Sequence, residues 1–599
     1  MASAQQEIFT TRPEITGSFG VVASTHWIAT AVGMGILERG GNAFDAGVAT
    51  ALALQVVEPH LNGPGGDVPI LVYDVRRGKT EVICGQGPAP AAATIACFHQ
   101  MGLDLVPGSG LLAACVPGAF DAYMLLLRDY GTMSVEDVLA PAIGYARNGY
   151  PLVQRICDTI ATVEKLFREH WSSSAAVYLP HSAIPAAGTI FRNEALAATY
   201  SRLLAEAKAV GGGRDAQIEC ARRVWAQGFV AEAIDDFCRT NAVMDSTGVP
   251  RQGLLTGADM SSWRASVEAP ISYTYRDYVV YKPGPWTQGL VLLQQLALLK
   301  GFDLDRLDPC GAEFIHLQVE CAKLAFADRD VFYGDPNFGE TPVEHLLSET
   351  YNAERRMLIS EQASMQLLSG KIPGYGKAVA MRKGGVRQSV SATGTGEPTV
   401  GRLRAERGDT VHFDIVDRHG NMISATPSGG WLQSSPVIPS LGFCLGTRAQ
   451  MFWLDEEHPA SLQPGKRPRS TLSPTLALRG GEPYLAWGTP GGDQQDQWAT
   501  QFLLRHIHAG HNLQQAIDAP AWHSEHFPAS FWPRLARPGV LIVEGRISDD
   551  VVKTLRGRGH IVEVGEDWSE GRLTAASREG GWLRAAANPR GMQAYAAGR

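Results

Sequence analysis

The chain has 599 residues, 45% hydrophobic and 19% charged, with a formal net charge of −8. That length and apolar content can bury a large core, which excludes wholesale disorder and a disulfide mini-scaffold. No run of about 18 apolar residues is present, so no membrane-spanning helix is expected, and no basic stretch interleaved with aromatics points to nucleic acid.

The polar start, residues 1–15, lacks an apolar h-region, so the expected compartment is the cytoplasm. Nine cysteines without a CxxC pair read as inert thiols rather than a disulfide framework or zinc ribbon. Gly20-Val-Val-Ala-Ser24 predicts a short strand. Trp27, Ile28, Val32, Ile36 and Leu37 then recur at helical spacing until Gly40-Gly41. Asn42 is placed to cap a buried helix over residues 43–57. The loop from Glu58 to Gly66 leads to a hairpin, residues 68–73 and 80–84, turned at Arg76-Arg-Gly78.

Residues 117–350 read as mostly helical, with Ser134 a cap and Asp137 three residues on. Residues 370–409 differ: Lys and Arg outnumber Asp and Glu, amid abundant Gly, Ser and Thr. They read as a mobile, solvated linker, with a nucleic-acid arm as the alternative. Regular structure returns at Thr410, where Val411, Phe413 and Ile415 alternate with His412 and Asp414 as a strand does. Arg418-His-Gly-Asn421 turns it into residues 422–426. A second hairpin, residues 475–478 and 484–487, precedes Gly488-Thr-Pro-Gly-Gly492 and a helix from about Gln494 to His508.

A flexible segment that stops before a Thr-led strand is where an autoprocessing hydrolase is cut. A threonine hydroxyl needs a base close by. Cleavage before Thr410 supplies one, because a freed peptide α-amine ordinarily titrates at about 7.7–8.0. The alternative for Asp409-Thr410-Val411-His412-Phe413 is a surface turn entering a strand. The glycines of 488–492 let backbone N–H groups approach an oxyanion, or form no more than a strand-to-helix turn. His506-Ile-His508 with His511 could be ligands, but i and i+2 point to different helix faces; His523-Ser-Glu-His526 has helical ligand spacing but follows Ala519-Pro520, and no catalytic metal is expected. HExxH, GxSxG and P-loop signatures are absent.

The chain resembles the γ-glutamyltranspeptidase family of N-terminal-nucleophile hydrolases over nearly its whole length. The matching pieces, in the family's order, include Gly20-Val-Val-Ala-Ser24, Gly40-Gly-Asn-Ala-Phe-Asp-Ala46, Val57-Glu-Pro-His60 with Gly63-Pro-Gly-Gly66, and Ala89-Pro-Ala-Ala-Ala-Thr94. They continue through Asp409-Thr-Val-His-Phe413, Val416-Asp-Arg-His-Gly-Asn421, Pro464-Gly-Lys-Arg-Pro468, Leu472-Ser-Pro-Thr475, Gly488-Thr-Pro-Gly-Gly492 and Leu513-Gln-Gln-Ala-Ile-Asp-Ala-Pro520.

The resemblance implies an α+β fold, a four-layer αββα sandwich with a helical lobe, made as one precursor and cut between Asp409 and Thr410. The products would be a large chain, residues 1–409, and a small catalytic chain, residues 410–599, held as a heterodimer, with a dimer of heterodimers as a further arrangement. Thr410 would be the nucleophile, Ser428 the hydroxyl bonded to it with Thr426 two residues before, and Gly491 and Gly492 the oxyanion-hole pair. Ser470 and Thr471 match hydroxyls that contact the acyl group's carboxylate in glutamate-specific members. No cofactor is implied.

The departures fall on the substrate side. The arginine that clamps a glutamyl α-carboxylate in the family is Gln86 here, which cannot form that bidentate, charge-assisted pair. The family's Asn two residues past the Ser428 position is Gly430. Its acidic partner for the substrate amine falls at Gln450-Met451, with Met451 the gapless match. Trp431, Phe452 and Trp453 form either an apolar pocket wall or plain core. Arg448 is either a partner for an acidic acyl tail or a surface residue. The expected activity is hydrolysis of a small non-glutamyl amide, as in acylases and amidohydrolases of the family. The alternatives are a γ-glutamyl hydrolase or transferase with a remodelled pocket, and an unprocessed, non-catalytic scaffold.

Overall fold

The computed structural model describes residues 9–375 and 410–599. Two seven-stranded antiparallel sheets form the middle of the molecule. The first runs, edge to edge, Tyr595–Gly598, Gly20–Ser24, Phe413–Asp417, Met422–Ala425, Val68–Asp74, Lys79–Gly85 and Ser266–Glu268. The second runs Ile15–Gly17, Trp582–Ala587, Thr574–Glu579, Glu482–Gly488, Thr475–Arg479, Tyr278–Lys282 and Ile271–Tyr275.

Side-chain alternation along these strands sorts the apolar residues into three seams, because successive residues of a strand face opposite sides. In the first sheet Val22, Phe413 and Ile415 point outward, into a core shared with the helices Trp27–Glu38, Ala43–Val57, Ala119–Asp129 and Val135–Asn148. In the second, Ala477, Leu485, Trp487 and Ala575 point outward, against Leu290–Leu299, Ala312–Phe332, Gln495–His508 and Leu513–Asp518. Between the sheets Val21, Ala23, Leu71, Val416, Leu476, Ala486, Ala576 and Ala585 meet in a third seam. Three seams make four layers, the αββα sandwich. Five more helices, Gln154–Glu169, Ser172–Tyr178, Glu194–Ala209, Arg214–Gln227 and Phe229–Thr240, form a lobe whose core continues the first seam.

Local chemistry fixes the element ends. Asn42 accepts from the Phe44 and Asp45 amides while Asp45 reaches back to the Asn42 N–H, a capping box contributing roughly 1 kcal/mol. Ser134 and Asp137 repeat it at the start of Val135–Asn148.

The structure differs from the sequence reading within residues 117–350. The largely helical stretch also holds Ile271–Tyr275 and Tyr278–Lys282, which complete one edge of the second sheet. These are short strands with alternating exposure, and the helical runs on both sides mask their period. Of the expected linker, residues 376–409, with Asp409, lie outside the described residues; Ile372 and Tyr375 close a small turn before them.

Candidate active site

Thr410 opens the segment leading into Phe413–Asp417 and is fully buried. It forms an isolated antiparallel bridge with Ser428, and its Oγ1 donates to Ser428 Oγ at 3.2 Å. The Val411 N–H donates to Pro427 O at 3.0 Å, which fixes the pairing. Ser428 is held from its other side by Asp67: Ser428 N–H donates to Asp67 O at 3.0 Å, and Asp67 N–H to Ser428 O at 2.8 Å. That approach needs Gly66, since a Cβ there would stand 2.0 Å from Ser428 O.

Arg448 explains why Asp67 stays in place. Its Nε and Nη2 donate to the Asp67 carboxylate at 2.9 and 3.0 Å, a buried bidentate pair. This corrects one of the two expectations for Arg448, which is buried and is not a surface residue. It holds the carboxylate whose backbone carries Ser428.

The glycine loop lies beside the nucleophile. Gly488 ends a strand of the second sheet, and a Cβ on it would strike the His412 ring at 2.4 Å. Gly491 has φ +120° and Gly492 φ +52°, conformations that side-chain-bearing residues rarely adopt. Gln494 N–H donates to Gly491 O at 2.9 Å and Gln288 Nε2 to Gly492 O at 3.0 Å, so both carbonyls are tied down. The helix Gln495–His508 follows at once. His412 Nδ1 and Thr426 Oγ1 share a hydrogen bond of 2.8 Å, and His412 Nε2 lies 3.1 Å from Asp414 Oδ1. Thr574 Oγ1 donates to Asp414 Oδ2 at 2.7 Å, joining the sheets. Thr426 Oγ1 is therefore engaged by His412, two residues past Thr410.

The residues on the expected substrate side are mostly occupied. Gln86 Nε2 donates to Gly87 O at 2.9 Å, while its Oε1 is buried without a partner among the described residues. Gln450 donates to Gly108 O and Thr447 Oγ1 and accepts from Trp532 N–H. Met451, Trp431 and Phe531 form an apolar cluster of their own. Phe452 packs in a separate core cluster, and the Trp453 ring lies under Arg534 at 4.3 Å. Gly430, at φ +67°, turns the chain after Ser428. Ser470 Oγ accepts from Leu472 N–H at 3.2 Å, and Thr471 Oγ1 is buried without a partner among the described residues.

A cavity opens directly at Thr410. Beside Thr410 and Pro490 it is lined by Arg155, Arg572, Asn588 and Gln593, and not by Gln86, Gly430, Met451, Ser470 or Thr471. Behind it Glu58 accepts from Thr25 Oγ1 at 2.6 Å and from Gln593 Nε2. Burial raises the Glu58 carboxyl to about 7, against the lowering pull of Thr25 and Arg155. His60 is held well below the ordinary imidazole range by burial and by Arg155, His26 and Arg572. Sequence reasoning missed Arg155, Arg572, Asn588 and Gln593. The turn Asn588-Pro-Arg-Gly591, with Gly591 at φ +75°, was the one local signal available.

The histidine patterns are taken by other partners. His506 binds Tyr484 OH and His511 O, and His508 binds Tyr275 OH and Asp305. His523 and His526 lie on a strand and the loop after it rather than on a helix, bonded to Glu570 and to Gln366 O. Among the described residues, His316, Glu320 and His560 do converge, and Glu320 already accepts from Lys323 Nζ at 2.6 Å and from Ser364 N–H.

The family model described as Gamma-glutamyltranspeptidase matches residues 29–598. The chain is 31% identical to the "Glutathione hydrolase-like YwrD proenzyme" of Bacillus subtilis (strain 168), over 96% of this chain and 98% of that one. It is 30% identical to the "Oxamate amidohydrolase proenzyme" of Klebsiella pneumoniae subsp. pneumoniae, with coverage of 96% and 98%. The solved structure described as "Structure of LmbA2991HD" superposes with a TM-score of 0.92 at 51% identity, covering 99% of this chain and all of that one. The chain belongs to the γ-glutamyltranspeptidase family and is an amide hydrolase of the N-terminal-nucleophile type.

Proposed function

We propose that the chain cuts itself before Thr410 and that the new N-terminal threonine hydrolyses the amide bond of a small, non-glutamyl acyl compound. The observation that carries this reading is the buried Thr410 hydroxyl, bonded to Ser428 and sharing a cavity with Pro490 of the glycine loop. Thr410 Oγ attacks the acyl carbonyl and its own α-amine takes the proton. The Gly491 and Gly492 N–H groups stabilise the oxyanion, each such donor contributing on the order of 3 kcal/mol. The C–N bond breaks, the amine leaves with the proton, and water hydrolyses the threonyl ester.

Both parts of the chain supply strands to both sheets: Phe413–Asp417 pairs with Gly20–Ser24, and Thr475–Arg479 with Tyr278–Lys282. A cut at Thr410 would therefore leave two interlocked chains. The "proenzyme" in both relatives' names supports that maturation. The non-glutamyl preference rests on Gln86 and Met451, which offer neither charge that a glutamyl head group needs. Oxamate, named for the Klebsiella relative, is itself a small non-glutamyl amide and agrees with that preference. The test is turnover of a γ-glutamyl anilide against simple acyl anilides. Hydrolysis of the simple acyl compounds is the expected result, and turnover of the γ-glutamyl compound alone would sink the reading.

A further inference from the structure

The glycine loop beside Thr410 depends on distant residues for its shape. Gly491 and Gly492 stand at φ +120° and +52°, and Gln494 N–H donates to Gly491 O at 2.9 Å. Because a peptide unit is planar and trans, that bond turns the Gly492 N–H to the opposite side. The following peptide is set from outside the loop. Gln288, fully buried just before the helix Leu290–Leu299, donates from Nε2 to Gly492 O at 3.0 Å. Its Oε1 accepts from Arg329 Nη1 at 3.2 Å. A guanidinium can only donate, so Arg329 decides which way the Gln288 carboxamide faces and leaves its NH2 for Gly492 O. Arg329 is fully buried on the helix Ala312–Phe332, and its Nη1 also donates to Oδ1 of Asp493, the residue after Gly492. Ser530 grips the same carboxylate, its N–H donating to Oδ2 at 2.7 Å and its Oγ to Oδ1 at 2.6 Å. Burial works to raise the Asp493 carboxyl, but Arg329 and Ser530 hold it below the ordinary carboxylate range, so the pair is ionic at neutral pH. Arg329 is fixed in turn by Pro528 O, 3.1 Å from Nη2, and by Asp330 Oδ1, 3.0 Å from Nε.

Resting on the oxyanion role proposed above for Gly491 and Gly492, we infer that Arg329 and Gln288 are positioning residues for the reaction. They act through Gly492 O and the Asp493 carboxylate, and so hold the loop at a fixed place relative to Thr410. The need for such a hold follows from the layering. Thr410 leads into Phe413–Asp417 of the first sheet, whereas the loop follows Glu482–Gly488 of the second. Nucleophile and oxyanion donors are thus carried by different sheets, and glycines at positive φ add no stiffness of their own. A donor lowers the barrier only when it is already aimed at the position that the charged oxygen will take. Gln288 and Arg329 supply that aim from the helical layer behind the second sheet.

The test compares Gln288→Met, which keeps the length but cannot donate, with Arg329→Met and Arg329→Lys, all as protein cut before Thr410. With N-butyryl-4-nitroaniline, Gln288→Met and Arg329→Met should lose about 10–100-fold in kcat with KM within about twofold, and Arg329→Lys should recover part of the loss. A second readout needs no turnover. In propylboronic acid the boron stands for the butyryl carbonyl carbon; it takes a lone pair from Thr410 Oγ, whose proton passes to the α-amine, and becomes a tetrahedral anion. Its affinity should fall by the same factor as kcat, while butyramide, which carries no such charge, should bind within about twofold of its affinity for the unaltered protein. Unchanged kcat and boronate affinity in Gln288→Met would overturn the inference. So would equal weakening of boronate and butyramide, the mark of a general loss of structure. The oxyanion role itself has a separate check: if Gly491→Ala leaves boronate binding intact, that role falls. If Gly491→Ala weakens it and Gln288→Met does not, only the positioning falls.

Discussion

The two sides of Thr410 are built by different means. On one side Ser428, Gly66 and the Gly488–Gly492 loop are placed by backbone pairing and by glycines that admit close approach, all within a few residues of recognisable motifs. On the other side Arg155, Arg572, Asn588 and Gln593 arrive from the lobe, a loop and a turn far apart in sequence. The comparison teaches that one wall beside Thr410 is set by local backbone geometry, whereas the other is set by side chains that only the tertiary fold brings together. Met451, which the family resemblance would match to an acidic partner, packs with Trp431 and Phe531 in an apolar cluster.

If the nucleophile side is the shared machine, its loss should be near total. Thr410→Ala should stop both self-cleavage and turnover, by roughly 10⁴-fold or more in kcat, as for other covalent nucleophiles. Denaturing mass analysis and a substrate assay check it, and activity surviving in that variant would break the comparison outright. Next in size is Gly491→Ala. Its Cβ would meet Trp498 at 2.6 Å and its φ of +120° disfavours any side chain, so the loop must shift. A loss of about 10²–10³ in kcat with KM little changed is expected, the scale of one lost oxyanion donor; an unchanged kcat would remove the loop from the mechanism.

Asp67→Ala tests the support beneath Ser428. It strands Arg448 in a buried site, and breaking a buried pair from one end costs about 3–5 kcal/mol. Denaturant unfolding measures it, and a change under about 1 kcal/mol would make the pair ornamental. The smallest effect is on the diverged side. Gln86→Arg places a cation in a buried position beside Gly87, while Met451 stays in an apolar cluster that offers no charge to a substrate amine. γ-Glutamyl anilide turnover should rise by less than about tenfold, since one of two charge partners is still missing. A rise of about 10³ would show that a single residue sets the specificity.

Much of the frame was legible because it is local. The Asn42 and Ser134 caps, the hairpins around residues 68–84 and 475–488, and the strand after Thr410 each follow from a period or a cap within a dozen residues. The helix Gln495–His508 followed the glycine loop as its spacing suggested. Ile271–Tyr275 was hidden by its neighbours, and Arg448 could not be placed from sequence because its partner, Asp67, lies 381 residues away. The arginine cavity was illegible for the same reason: nothing near Arg155 announces Arg572 or Asn588. Contacts set by the packing of two sheets leave no trace in local spacing.

The most direct measurement is the intact mass of the purified, active protein under denaturing conditions, with N-terminal sequencing of its smaller component. Two chains, the smaller beginning Thr-Val-His-Phe, are the expected result, because catalysis by Thr410 requires its free amine. A single uncut chain in an active preparation would contradict it.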